Sequence, residues 1–291
     1  MTSDIRHDRV TNGAVTLHVA RAGSGPPVVL LHGFPENWSS WRHQLLPLAD
    51  AGFTATAPDL RGYNESDAPV GVAAYAIDQL VSDVAAVVRA TGHPRAHVVG
   101  HDWGGILAWH FAATHPGLLE RLVILNAPHP SIFLRHVRRP PQLFRSWYAA
   151  FFQLPLLPER ALRAFDFAAL RRLFRTTPAR KDTFSNQDID YYIQGLSRPG
   201  GLTAALNYYR ASVRHPSTRR VRTDAETLII WGEQDVALTI GLLDGVERYA
   251  PHVHIERIAD AGHWVQNEAP ERVTRLLIDF LSGPPATQMR D

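Results

Sequence analysis

The sequence predicts an α/β fold: a mostly parallel sheet covered by helices on both faces, with a helical cap inserted into it. Three observations carry this. Short β-branched runs alternate with longer helix-period segments, a pattern that builds parallel sheets with helical crossovers. The alternation stops between about Pro130 and Arg220 and resumes at Thr227. Motif-like turns follow several strand runs, where the ligand site of such a sheet lies.

Val28–Leu31, Thr54–Thr56, Val98–Val99, Leu122–Leu125, Thr227–Trp231 and His254–Ile258 read as buried strands. Ile77–Ala90, Gly105–Ala113 and Pro270–Leu281 carry the helical period. The interrupting stretch is helical in pattern, rich in Arg and aromatics. It is punctuated by Pro140-Pro141, Pro155, Pro158 and Pro199-Gly200-Gly201. The expected division is a core domain of residues 1–129 and 221–291 and a cap of residues 130–220. A frayed tail is expected from Gly283.

The chain has 291 residues, 45% of them hydrophobic, enough for one large core with an inserted unit. The net charge is +2, and Lys181 is the only lysine. The basic stretch Arg135–Lys181 reads as a solvated helical surface, and no aromatic-basic pattern points to nucleic acid. There is no cysteine, which excludes disulfides, thiolate zinc sites and a thiol nucleophile. Met1–Asn12 is polar, without the apolar core of a secretory signal. No run approaches the roughly 18 apolar residues of a membrane span. The expectation is a soluble cytoplasmic protein of unspecified oligomeric state.

Val98-Val99-Gly100-His101-Asp102-Trp103-Gly104-Gly105 is a strand entering a helix through a tight glycine-flanked turn. It has the form of a nucleophile elbow, Gly-x-nucleophile-x-Gly. The turn forces strained backbone geometry on Asp102, and side chains at its glycine flanks would clash. A helix beginning near Gly104 would aim its N-terminal amides at the site. A carboxylate at the elbow attacks an sp³ carbon bearing a leaving group and forms an alkyl ester.

Ala261-Gly262-His263-Trp264 follows the last strand, which makes His263 the candidate base. Ile229-Ile230-Trp231-Gly232-Glu233-Gln234-Asp235 follows the preceding one. Asp235 is the expected orienting acid, with Glu233 its neighbour and competitor. The chain order nucleophile, acid, His is that of α/β-hydrolases. His32-Gly33-Phe34-Pro35 follows an early strand. The backbone N–H groups of Phe34 and Trp103 are the expected oxyanion hole, and His32 reads as a structural residue of that loop.

His32-Gly33-Phe34-Pro35-Glu36, Asp59-Leu60-Arg61-Gly62-Tyr63, Gly100-His101-Asp102-Trp103-Gly104-Gly105 and Gly262-His263-Trp264 resemble the epoxide hydrolases and haloalkane dehalogenases of the α/β-hydrolase superfamily. The resemblance covers nearly the whole chain. One departure is Asn64, where the family usually has Gly. Epoxide hydrolases use two cap tyrosines that donate to the epoxide oxygen. Ser146–Pro155 resembles the first tyrosine segment and Leu206–Arg210 the second, which implies these roles for Tyr148 and Tyr209. Trp103, Tyr148, Tyr209 and Phe151 are the implied substrate contacts. The implied partners are an apolar epoxide and water, with no metal or organic cofactor.

Two other readings stay open. A haloalkane dehalogenase would use the same Asp102, with Trp103 and Trp147 as halide donors. However, Phe34 stands where many dehalogenases carry an Asn. Trp103 and Ile106 stand where fluoroacetate dehalogenases carry arginines. A non-catalytic ligand receptor on this fold would need neither the Asp102–Asp235–His263 set nor the tyrosines.

Overall fold

The computed structural model describes residues 4–283. The tail expected from Gly283 lies, beyond that residue, outside them. Eight strands form one sheet: β1 (Arg6–Asn12), β2 (Val15–Ala22), β3 (Pro27–Leu31), β4 (Thr54–Pro58), β5 (Ala96–His101), β6 (Leu119–Leu125), β7 (Thr227–Gly232) and β8 (Val253–Ile258). Their order is β1-β2-β4-β3-β5-β6-β7-β8. β1 and β2 pair antiparallel, as do β2 and β4, and every other pairing is parallel.

The central strands read as continuous apolar runs because both faces are covered. Val29, Leu31, Val98, Leu122, Ile124, Ile229 and Trp231 face one core. Val28, Leu30, Val99, Val123, Leu125, Leu228 and Ile230 face the other, as the two-residue period of a strand requires. α1 (Arg42–Asp50) and α11 (Pro270–Leu281) cover the second face through Leu45, Leu48, Val273 and Leu277. α2 (Ile77–Arg89) and α3 (Trp103–Thr114) cover the first through Leu80, Val84, Val88, Leu107 and Phe111. The Leu80, Val84 and Val88 spacing follows the helical repeat.

Six helices lie between β6 and β7: α4 (Pro130–His136), α5 (Gln142–Arg145), α6 (Trp147–Phe151), α7 (Leu157–Thr176), α8 (Asn186–Ser197) and α9 (Gly201–Arg214). α7 is broken at Ala164–Phe167, where Phe165, Asp166 and Phe167 all take positive φ. The short α10 (Val265–Glu268) precedes α11. No helix among the described residues is long and apolar enough to cross a membrane.

Two features depart from the expectation. The N-terminal hairpin β1–β2 has no counterpart among the expected strands; most of β1 is exposed, so it lacks the apolar run that marks a buried strand. The 254–258 segment is a strand but not a buried one. β8 pairs only with β7, and of its residues only Ile258 is buried.

Three buried histidines tie this packing to pH. His97, His110 and His129 are each lowered to about 4, above all by burial. The Nδ1 atoms of His97 and His110 have no hydrogen-bond partner. The unfolded chain takes up these protons near pH 6.5 and the folded chain only near 4. Between those values the unfolded state holds more protons, so stability falls as pH drops. Urea unfolding should show a loss on the order of 1–2 kcal/mol per histidine from pH 7 to pH 5. His110→Met should flatten that slope; an unchanged slope refutes the assignment.

Candidate active site

β5 ends at His101 and α3 begins at Trp103, leaving Asp102 alone in the turn at φ 50°, ψ −119°. A side chain rarely tolerates that backbone geometry. Close packing enforces it. A Cβ on Gly100 would lie 2.3 Å from the Gly104 carbonyl oxygen, and one on Gly104 would lie 2.2 Å from that of Leu31. The helix therefore begins directly after Asp102, a residue earlier than its glycines suggest. The Asp102 side chain makes no capping bond to α3. Its Oδ1 instead accepts the Phe34 N–H at 2.8 Å. The Trp103 amide opens α3 and belongs to the helix's N-terminal donors.

His263 lies in the loop after β8, with Nε2 3.8 Å from Asp102 Oδ2 and Nδ1 2.7 Å from Asp235 Oδ2. Asp235 is buried and richly bonded. Its Oδ1 accepts the Ala237 and Leu238 amides at 2.7 and 2.9 Å, and its Oδ2 accepts Asn126 Nδ2 at 2.8 Å. Burial alone would raise its pKa, but the His263 charge and these donors hold it below the usual carboxylate value. Burial alone would lower His263. The charge and hydrogen bond of Asp235, followed by the charges of Asp102 and Glu36, instead push it up to about 9. Glu233 stands apart, in an ion pair of 2.7 Å with Arg257. His32 is fully buried; Nδ1 donates to the Gly33 carbonyl at 2.9 Å and Nε2 accepts the Leu60 N–H at 3.0 Å.

Three further residues belong to the site. Asn126, just after β6, takes a positive φ of 37°. Its side chain brackets Gly232, accepting from N at 2.8 Å and donating to O at 3.2 Å, while also reaching Asp235. Its sequence signal is a polar residue at the carboxyl end of an apolar strand. Glu36 and His101 sit inside the quoted motifs. The Glu36 carboxylate contacts His101 Nδ1 at 3.1 Å and accepts Ser40 Oγ at 2.8 Å, and His101 Nε2 donates to the His263 carbonyl at 2.9 Å.

Tyr148 on α6 and Tyr209 on α9 pack edge to face, with ring centroids 5.9 Å apart. Both phenols are raised in pKa, first by burial and next by the negative charge of Asp102. Trp103, Phe152 and Phe34 surround Tyr209 at 5.1, 5.0 and 5.5 Å. Of the two adjacent phenylalanines, Phe152 packs against Phe34 and both tyrosines. Phe151, the expected substrate contact, lies one ring farther out, between Phe152 and Trp147. The other cap tyrosines are engaged elsewhere. Tyr208 donates to the Arg61 carbonyl at 2.8 Å, Tyr191 accepts from Trp38 Nε1 at 3.0 Å and Tyr192 accepts from Arg42 at 3.3 Å.

The family described as alpha/beta hydrolase fold matches residues 26–270. The AB hydrolase superfamily protein YfhM of Bacillus subtilis is 42% identical over 94% of this chain and 96% of its own length. Mouse epoxide hydrolase 4 is 35% identical over 94% of this chain and 78% of its own. A Bacillus megaterium epoxide hydrolase, solved with an inhibitor, superposes with a TM-score of 0.87 at 32% identity, covering 95% of this chain and all of that one.

The His263–Asp235 contact makes a direct prediction. Asp235→Asn removes the strongest influence raising His263. In an NMR titration the wild-type imidazole should titrate near 9, and the variant about two units lower. Because the folded value is raised, this pair stabilises the fold fully below pH 6.5 and less as pH rises through 9. A titration that Asp235→Asn does not move would refute the coupling.

Proposed function

The chain belongs to the alpha/beta hydrolase fold family and is a hydrolase, and we propose that it opens an apolar epoxide to a vicinal diol through an ester on Asp102. The observation that carries this reading is the pair of phenols beside a carboxylate that already faces an imidazole. Epoxide opening creates an alkoxide, a poor leaving group that needs a proton. Phenols suit the task because they remain protonated at neutral pH, yet are more acidic than the product alcohol.

In this mechanism the epoxide oxygen accepts hydrogen bonds from Tyr148 and Tyr209. An Asp102 oxygen attacks the less hindered carbon, the C–O bond breaks, and the alkoxide takes one phenol proton. The Asp102 ester is neutral, so one influence that raised His263 disappears. The imidazolium can then return a proton to the phenolate, which leaves both groups neutral. Neutral His263, held by Asp235, takes a proton from water as that water attacks the ester carbonyl. The amides of Phe34 and Trp103 receive the oxyanion. The intermediate collapses, and the departing alkoxide takes the proton held by His263. The Asp102 carboxyl then gives its own proton back to His263, which releases the diol and restores the carboxylate facing an imidazolium. The apolar walls of Phe34, Trp103 and Phe152 favour an apolar substrate.

Dehalogenation fits less well. Phe34 offers no side-chain donor, and Trp147, the second candidate halide donor, is 66% exposed. A receptor reading leaves the raised imidazole between two carboxylates without a use.

Two experiments test the proposal. Tyr148→Phe with Tyr209→Phe should lower epoxide turnover by at least about a thousandfold while circular dichroism stays native. Each single variant should keep measurable activity, and a fully active double variant refutes the phenol role. With enzyme in excess over styrene oxide in heavy-oxygen water, the first diol formed should carry essentially no label. The label should appear instead in the peptide containing Asp102. A labelled diol in the first turnover would mean direct attack by water, and Asp102 would not be the nucleophile.

A further inference from the structure

The loop carrying His263 is held from both sides by one buried carboxylate. Glu268 closes α10 and is 1% exposed. Its Oε2 accepts the Gly262 N–H at 3.0 Å and its Oε1 accepts the Trp264 N–H at 3.1 Å. These amides flank His263. Oε2 also accepts the Ala179 N–H at 2.6 Å, from the turn between α7 and α8. Arg180 in the same turn donates to the Glu268 carbonyl at 3.1 Å. No cation contacts the carboxylate among the hydrogen bonds of the described residues; three backbone donors satisfy it instead.

This contact explains the glycine before His263. A Cβ on Gly262 would lie 3.0 Å from Glu268 Oε1 and 3.3 Å from both Oε2 and the Gln234 carbonyl oxygen, so a side chain there would crowd the carboxylate and shift it against the loop. Rings from the cap reinforce the clasp. Trp264 packs against Phe174 at 5.4 Å and Phe184 at 5.6 Å.

We propose that Glu268 is a positioning residue that fixes the His263 loop and joins it to the cap turn at Ala179, so that the imidazole is aimed for hydrolysis of the ester. The proposal rests on the assignment of His263 as the base. A misplacement of about 1 Å in a catalytic group costs roughly a hundredfold, and His263 has no other side chain fixing both of its flanking amides. Attack by Asp102 does not need His263, so the first half-reaction should be spared. Gln is not an equivalent: its amide nitrogen would face a backbone N–H at one of the two oxygen positions.

The experiment compares wild type, Glu268→Gln and Gly262→Ala. Quenched-flow mass spectrometry with styrene oxide separates ester formation from ester hydrolysis. Amide hydrogen exchange follows the peptides containing 262–264 and 179. Both variants should form the ester within about twofold of the wild-type rate and hydrolyse it about tenfold to a hundredfold more slowly. Exchange should rise in the 262–264 peptide of both variants, and in the 179 peptide of Glu268→Gln. Wild-type hydrolysis rates in folded Glu268→Gln overturn the proposal. So does unchanged exchange, and this second readout stands even if a variant is too unstable for kinetics. Absence of any ester in wild-type enzyme would instead refute the Asp102–His263 mechanism, which separates the two failures.

Discussion

The site depends first on one backbone conformation, the positive φ of Asp102. Such a residue costs on the order of 1–3 kcal/mol and persists only where its surroundings leave no alternative. Here the surroundings are the centre of the sheet. Gly100 pairs with Leu31 of β3 and Ile124 of β6, while Gly104 rests on the Leu31 carbonyl. The strand and helix that meet at Asp102 are thus both pinned by buried backbone. Parallel pairing then brings the other parts to the same edge. Phe34 follows β3, Asn126 follows β6, Asp235 follows β7 and His263 follows β8. Residues far apart in sequence become neighbours because their strands all end on one side.

Two carboxylates face the same imidazole, and their surroundings divide the labour between them. The Asp235 side chain is fully buried and accepts bonds from His263, Asn126, Ala237 and Leu238. Those donors occupy its lone pairs and hold it ionised, so it is suited to orient and not to attack. The Asp102 side chain is 19% exposed, with one fixed amide, that of Phe34. It therefore retains a free oxygen. Unequal solvation of paired carboxylates is a general route to distinct roles. Glu36 completes the negative surround, and through His101 it also holds the carbonyl of His263.

Most of the sheet was legible in the sequence because central parallel strands leave apolar runs, as in Val28–Leu31 and Leu122–Leu125. β1 was not, because an edge strand with an exposed face carries residues such as Arg6, Asp8 and Arg9 that resemble a loop. α1 leaves a weak signal for a related reason: Pro47 lies inside it, a residue that usually signals a break. At the site, Asp102, Asp235 and His263 could be picked out because each follows a strand inside a motif. Asn126 has no motif around it. Glu36, His101 and Glu268 act through backbone and other side chains, and their significance appears only when β3, β5 and α10 are brought together. Phe151 and Phe152 are adjacent and alike, so the sequence alone does not tell which ring packs against the tyrosines.

The phenols come from a different part of the chain than Asp102 and His263, so their mutual spacing needs its own support. Arg210, the residue after Tyr209, supplies it. Its Nε donates to the Phe152 carbonyl at 2.9 Å and its Nη2 to that of Leu154 at 2.8 Å. Glu159 pairs with the same guanidinium at 2.6 Å and 3.0 Å in a buried bidentate contact, the geometry in which such pairs are most specific. In return, Gln153 Nε2 donates to the Tyr209 carbonyl at 2.9 Å. Tyr148 and Phe152 on one side and Tyr209 on the other are therefore parts of one bonded unit. The elbow meets this unit directly through Trp103 and Phe34, and the His263 loop meets the cap through Glu268 and Trp264. The distance from Asp102 to the two phenols is thus set in part by contacts that neither the carboxylate nor the phenols make themselves.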